Sequence, residues 1–425
     1  MGERQTARSV AARLVAGVVH DRQTLADQQT RGVLSQLDPA DRARAQRLAL
    51  VTLRRIGPVD RVLKPLLRRE PPALVRAVLR VATAEMLAEG GEPHGVVSEA
   101  VATLRAGGRK LEGFCGLANA VLRRVSETDP ADFAALPPQE LPGWLRGRLM
   151  SAWGKPATQA IEAAHAAGVP LDLTPRDGDA AALAERLGGM ALPTGSVRIA
   201  VRAQVSDLPG YREGDWWVQD AAAALPARAL AARPGEKVLD LCAAPGGKTL
   251  QLAAAGADVT ALDLSESRMA RLHENLARCR LAAQTVVADA LEWAPDGRFD
   301  AILLDAPCSA TGTVRRHPDL PFVRDPLGLR PLFELQSALI DRALGFLRPG
   351  GRLVFATCSL LPEEGERQVT AALDRHPDLK VETPSLPGTD PAWISAEGGL
   401  RMRPDYWADR GGMDGFYLAS LRMPA

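Results

Sequence analysis

Two cysteines carry the most chemical promise in this 425-residue chain. Cys308 follows the run ending Leu304-Asp305-Ala306-Pro307, and Cys358 closes the run Ala356-Thr357. Both runs have the short apolar pattern of a buried β-strand. Three similar runs end in acids, at Asp240, Asp263 and Asp289, and Asp305 is a fourth strand-end acid. A single acid closing a strand is commonly a turn residue or helix cap. Four acids and a cysteine at successive strand ends point instead to one crevice, because open α/β sheets bind ligands beyond the carboxyl ends of their strands. Thiolates are nucleophiles, so two thiols in such a crevice suit covalent catalysis. Cysteine is also a frequent small core residue. A metal pair is not expected: the only imidazole near in sequence is His317, and the spacing matches no zinc pattern.

The first of these strands runs into Cys242-Ala243-Ala244-Pro245-Gly246-Gly247-Lys248-Thr249. Glycines there let backbone approach a ligand and start a helix. A phosphate loop would need glycine where Cys242 stands, and the dinucleotide pattern G-x-G-x-x-G is absent, so neither ATP nor NAD is supported. What remains is S-adenosylmethionine, with Asp263 placed where an acid accepts hydrogen bonds from ribose hydroxyls. A methyl donor beside two thiols suggests methylation at carbon 5 of cytosine. That carbon becomes nucleophilic only after a thiolate adds to carbon 6, whereas methylation on nitrogen or oxygen needs no such step.

These residues require a frame. Five strand-like runs, Lys237–Leu241, Val259–Leu264, Gln284–Asp289, Phe299–Asp305 and Arg352–Cys358, alternate with helical stretches at Lys248–Ala254, Glu266–Cys279 and Leu332–Leu347. That alternation predicts a parallel, doubly wound sheet from about residue 216 to 425. Residues 1–130 read as an all-α bundle of six or so helices, with starts at Asp38-Pro39 and Pro71-Pro72 and a stop at Gly90-Gly91. Residues 131–215 read as a linker followed by a small α+β unit, with a helix from Trp144 to His165, strands at Val169–Leu173 and Val197–Val201, and a helix near 180–187. The expected protein is therefore a three-part, multi-domain one.

The net charge of +1 hides an asymmetry. Residues 1–130 hold 21 basic and 14 acidic side chains, a net of +7, and the rest hold 31 and 37, a net of −6. A basic module attached to something else is a cue for a nucleic-acid partner. No apolar run approaches the length of a membrane span, and the N-terminal stretch lacks signal-peptide features. Met1-Gly2-Glu3-Arg4-Gln5-Thr6 matches a myristoylation pattern so loosely that chance explains it. Five cysteines with irregular spacing fit a reducing compartment, so a cytoplasmic location is expected.

The segments Val238–Lys248, Leu304–Gly312 and Ala356–Ser359, with Gly412-Met413-Asp414-Gly415-Phe416-Tyr417 near the end, resemble the RNA cytosine-5 methyltransferases of the Sun superfamily. The helical part, closing with Ala118-Asn119-Ala120-Val121-Leu122-Arg123-Arg124, is similar to the NusB-like domain of the bacterial 16S ribosomal RNA enzymes in that group. The resemblance implies a Rossmann-like catalytic domain. It implies Cys358 as the nucleophile, Cys308 as an aid to product release, and Asp305 as a contact to the base. Cys242, Ala243, Ala244, Pro245, Gly246, Gly247 and Lys248, with Asp263, Asp289 and Asp305, would line the S-adenosylmethionine pocket. In DNA cytosine methyltransferases the cysteine of a Pro-Cys pair is the nucleophile, which would give Cys308 that role. The expected partner is RNA, foremost 16S ribosomal RNA, and the expected state is a monomer. A transfer RNA substrate and a ribosome-assembly factor with secondary methylation are the alternatives.

Where the family often has Arg and Asn in the first strand of its middle unit, this chain has Leu171-Asp172-Leu173-Thr174-Pro175. The helix that often carries Asn-Glu-Ala-Val reads Ser98-Glu99-Ala100-Val101. The stretch Thr311–Arg330, with Arg315, Arg316, His317, Arg324 and Arg330, is expected to be a basic loop beside the crevice that grips phosphates. Trp216 and Trp217 are candidates for base stacking, with at least one expected in the core.

Overall fold

The computed structural model describes residues 5–200 and 204–425. The Met1-Gly2 pattern at the start and Val201, the end of an expected strand, lie outside the described residues. The chain divides into two compact units. One is Met1–Gly168 with Val314–Asp325; the other is Val169–Thr313 with Pro326–Ala425.

The first unit is helical. Its helices Ala7–Val19, Pro39–Arg54, Ala73–Glu89, Pro93–Ala106 and Cys115–Val125 bury Leu14, Leu48, Leu79, Leu104 and Leu122 in one core. The punctuation read from sequence holds: Asp38 caps Pro39–Arg54 by accepting from Asp41 N (2.8 Å), and Gly90 ends Ala73–Glu89 at φ 68°. Left-handed backbone there favours glycine. Expected linker residues 131–141 join this unit because Phe133, on the short helix Pro130–Ala134, is buried in the same core. The expected helix over 144–165 spans Gly143–Ala167 and breaks at Gly154, φ 80°. Its Glu162 is buried, accepting from Leu141 N (2.9 Å) and Arg146 Nε (2.8 Å).

Residues 314–325 correct the expected basic loop. Helix Leu320–Val323 packs on helix Ala7–Val19, and Phe322 and Val323 cover the helical core. Arg315 is 1% exposed, and its carbonyl accepts from Arg54 Nη2 (2.9 Å). Arg315 therefore has no surface for phosphates; Arg316, Arg324 and Arg330 are exposed, the last paired with Glu334 at 2.9 Å.

The second unit holds two sheets. The smaller has strands β1 (Leu171–Pro175), β2 (Met190–Ala191), β3 (Val197–Ile199) and β4 (Trp216–Val218), in the order β2-β3-β1-β4 and all antiparallel. Helix Ala180–Leu187 packs on it. Asp172 on β1 takes a two-pronged ion pair from Arg198 (both contacts 2.7 Å), and both side chains are buried. Trp216 and Trp217 are both core residues, 0% and 3% exposed. Their indole N–H groups donate to Pro209 O and Gln219 Oε1, each at 2.9 Å, so neither ring is free to stack on a base.

The larger sheet contains β5 (Lys237–Leu241), β6 (Asp258–Asp263), β7 (Gln284–Val287), β8 (Phe299–Asp305), β9 (Leu347–Thr357), β10 (Lys380–Glu382), β11 (Leu400–Met402) and β12 (Phe416–Arg422). The order is β10-β12-β9-β8-β5-β6-β7, with β11 paired to β12. Strands β5 to β9 are parallel; the near-continuous runs of Leu, Ile, Val and Ala in β5, β6, β8 and β9 follow from burial on both faces, whereas the edge strand β7 has no buried residue. The last three strands, which the sequence reading omits, are antiparallel.

Candidate active site

Strand order reverses between β5 and β8, and a sheet of this kind opens a crevice at the carboxyl ends where that happens. The register delivers the expected residues there. Leu241 pairs with Leu304, so Cys242 and Asp305 both follow the last rungs, and Asp305 pairs with Ala356, two residues before Cys358. Asp263 closes β6 against Val287 of β7, and Asp289 lies two residues past β7.

The loop Cys242–Gly246 leaves β5 with Cys242 at φ 62° and Gly246 at φ 105°. A Cβ on Gly246 would meet Leu272 Cδ1 at 2.1 Å, so the loop lies close against helix Glu266–Cys279 and needs glycine there. The loop is tied to β6 by Ala243 N donating to Leu262 O (3.0 Å) and Ala244 N donating to Asp263 Oδ2 (3.1 Å). Arg268 donates to the Ala244 carbonyl. Burial, chiefly, pushes the Cys242 thiol up, which keeps it protonated and out of nucleophilic chemistry.

Asp240 is not at the crevice surface: it is fully buried, accepting at Oδ2 from the Thr249 hydroxyl (2.6 Å). Burial pushes its carboxyl up to about 7. Its Oδ1 is buried with no hydrogen-bond partner in the protein. Beside it, Lys248 Nζ donates to Asp305 Oδ2 (2.6 Å) and lies 5.1 Å from the centre of the Phe416 ring. Asp289 is exposed and turns the chain by accepting from Leu291 N (2.9 Å). Asp263 is buried and also accepts from Ser265 N (2.9 Å), so the exposed carboxylate of Asp289 and the loop ending in Gly246, where backbone can approach a ligand, are what fit a nucleoside.

The two thiols meet. Cys308 Sγ and Cys358 Sγ are 3.5 Å apart, in hydrogen-bonding contact, although 50 residues separate them in sequence. The hydrogen bond with Cys358, then burial, hold the Cys308 thiol well above the ordinary range, so Cys308 keeps its proton. The Thr311–Gly312 backbone closes against the same loop, with Gly312 N donating to Cys358 O (3.0 Å) and Gly415 N to Gly312 O (2.8 Å). Three contributors escape the sequence reading: Thr249 on Asp240, the Lys248–Asp305 pair, and Glu364, a buried acid beneath both cysteine loops. Only the position of Glu364, six residues after Cys358, could have drawn attention to it. Among the described residues, no group of three or more His, Cys, Asp or Glu side chains is arranged to hold a metal ion. No helix among them is long and apolar enough to cross a membrane.

The chain is similar to known proteins. Residues 227–422 match the family model described as 16S rRNA methyltransferase RsmB/F, and residues 5–127 match the NusB family. A ribosomal RNA small subunit methyltransferase B from Klebsiella pneumoniae subsp. pneumoniae is 36% identical over 90% of this chain and 93% of its own length. One of the same name from Salmonella arizonae is 35% identical over 99% of each. Among solved structures, the protein PH0851 superposes with TM-score 0.74 at 24% identity, covering 99% of this chain and all of the other. A methyltransferase homologue from Pyrococcus horikoshii gives 0.57 at 28% identity, over 65% of this chain and 93% of its own.

Proposed function

Because the chain belongs to the 16S rRNA methyltransferase RsmB/F family and is an S-adenosylmethionine-dependent RNA methyltransferase, we propose that it methylates carbon 5 of a cytosine in 16S ribosomal RNA through a covalent adduct on Cys358. The observation that carries this reading is the 3.5 Å contact between two thiols at the ends of adjacent strands, beside the loop suited to the cofactor. Methyl transfer to nitrogen or oxygen would leave such a pair without a purpose.

S-adenosylmethionine supplies an electrophilic methyl group. Cys242, Ala243, Ala244, Pro245, Gly246, Gly247 and Lys248 hold it together with Asp263, Asp289 and Asp305. Cys358, as thiolate, bonds to carbon 6 of the cytosine, and the electron pair released into the ring makes carbon 5 the attacking atom. Carbon 5 would take the methyl group as its bond to the donor sulfonium breaks, leaving a neutral thioether; the carbon-5 proton then passes to solvent and the ring electrons expel the Cys358 sulfur, restoring the aromatic base. Asp305, oriented by Lys248, accepts from the exocyclic amino group of the base. Cys308 sits within reach of that adduct and assists release. The runner-up, in which Cys308 is the nucleophile, is separated by the variants below, since only the true nucleophile is indispensable for the adduct. The basic helical module, net +7 over residues 1–130, supplies the RNA-binding surface.

Transfer of labelled methyl from S-adenosylmethionine to 16S RNA fragments tests the roles directly. Cys358→Ala abolishes transfer. Cys308→Ser retains adduct formation and accumulates a protein–RNA species stable to denaturant. Full transfer by Cys358→Ala would remove the nucleophile assignment, and absence of the adduct in Cys308→Ser would remove the release role.

A further inference from the structure

Glu364 ends the short helix Pro362–Glu364 and is 0% exposed. A buried carboxylate is costly unless its oxygens are bonded. Here Oε1 accepts from Ser309 N (2.9 Å) and Gln336 Nε2 (3.1 Å), and Oε2 accepts from the hydroxyls of Ser309 and Ser359 (2.5 Å each). Its backbone carbonyl accepts from the Thr357 hydroxyl (2.9 Å). Ser309 directly follows Cys308, and Ser359 directly follows Cys358. Gln336 also donates to the carbonyl of Pro307, on the other side of Cys308 (2.8 Å). The β8–β9 ladder ends at Asp305 and Ala356, before either cysteine is reached, so regular sheet pairing does not hold the thiols together.

The geometry points to Glu364 as the positioning residue that pins the two cysteine loops to one another and thereby sets the spacing between the thiols. The inference rests on the two-thiol mechanism for its catalytic meaning, but the spacing itself can be measured apart from methyl transfer. The carboxylate has a second consequence: after the Cys358 hydrogen bond and burial, its charge adds to what keeps the proton on Cys308. One buried acid thus bonds to the residue that follows each cysteine and holds the two loops in place.

Phenylarsine oxide bridges two neighbouring thiols with loss of water, and its binding to the free enzyme reads the spacing. Glu364→Gln keeps the side-chain size but removes the charge and replaces one acceptor with a donor among groups that all donate to it. It is expected to weaken arsenical binding about fivefold and lower kcat about tenfold, with KM for RNA and for S-adenosylmethionine unchanged. Glu364→Asp, which keeps the charge on a shorter arm, should fall between. Ser359→Ala removes a single anchor and serves if the Gln variant does not fold, with the same direction of change. Cys308→Ser and Cys358→Ala, each lacking one thiol, set the unbridged baseline. Wild-type arsenical affinity in a folded Glu364→Gln or Ser359→Ala protein overturns the role of Glu364. Methyl transfer by Cys358→Ala instead overturns the mechanism, while the arsenical result still decides what Glu364 does.

Discussion

Gly312 offers a steric test of how closely the catalytic loops are packed. A Cβ at this position would lie 1.9 Å from Gly415 O, 2.6 Å from Gly415 C and 2.9 Å from Cys358 O. All three are backbone atoms, so no side-chain rotation relieves the overlap. Ordinary contact begins at 3.4 Å, leaving Gly312→Ala short by about 1.5 Å against the Gly415 carbonyl. The loops must part, lengthening the bonds from Gly415 N to Gly312 O (2.8 Å) and from Gly312 N to Cys358 O (3.0 Å). Two buried backbone bonds, at about 1 kcal/mol each when exchanged for water and up to about 3 kcal/mol each when left unmet, put the stability cost at about 2–6 kcal/mol. Because one bond ends on the Cys358 carbonyl, the shift reaches the proposed nucleophile, and a displacement of about 1 Å there corresponds to roughly a hundredfold in kcat. Urea unfolding followed by circular dichroism reads the first effect, and methyl transfer with saturating S-adenosylmethionine reads the second. A Gly312→Ala protein with wild-type stability and wild-type kcat would refute the steric reasoning.

Two further variants test other parts of the molecule. Asp240 has its carboxyl raised to about 7 by burial, so the folded state binds a proton that the unfolded chain has already released above the ordinary carboxyl range. Its stabilising share is complete below the unfolded pKa and disappears as pH rises through 7. Wild type should therefore lose about 3 kcal/mol relative to Asp240→Asn between pH 5 and pH 9, and parallel stability curves for the two proteins would contradict it. Phe133→Ala should cost the helical unit about 3–5 kcal/mol, since it empties a buried aromatic site. A loss below about 1 kcal/mol in urea titration would mean that residues 131–141 are the loose linker their prolines suggest.

The sequence was most informative where a signal is local. Period and punctuation place β5 to β9 and the helices between them close to where they lie, and Glu266–Cys279 matches its expected bounds. Helix caps at Asp38 and Gly90 are equally local. Residues 314–325 could not be assigned in this way. Their arginines read as a solvated basic loop, yet Phe322, Val323 and Leu320 carry the segment onto the helical core. Trp216 and Trp217 have the residue type of a stacking platform, and only the packing around them and their acceptors at Pro209 and Gln219 make them core.

By itself, the sequence determined where the groups proposed to carry chemistry lie along the chain: two thiols and a set of acids at strand ends, a glycine-bearing loop, and a basic helical module. It could do so because strand ends and loops are marked by neighbours a few residues away. Tertiary structure alone decided which of these groups meet. Adjacent pairing of β8 with β9 brings the two cysteine loops side by side, and contacts beyond the ladder leave Cys308 3.5 Å from Cys358, while β12 inserts antiparallel between β9 and β10. Strand order is set by long-range burial and backbone pairing, to which no local pattern refers. The same cause hides Glu364, an unremarkable acid in sequence that becomes the joint between two loops only once both are folded over it.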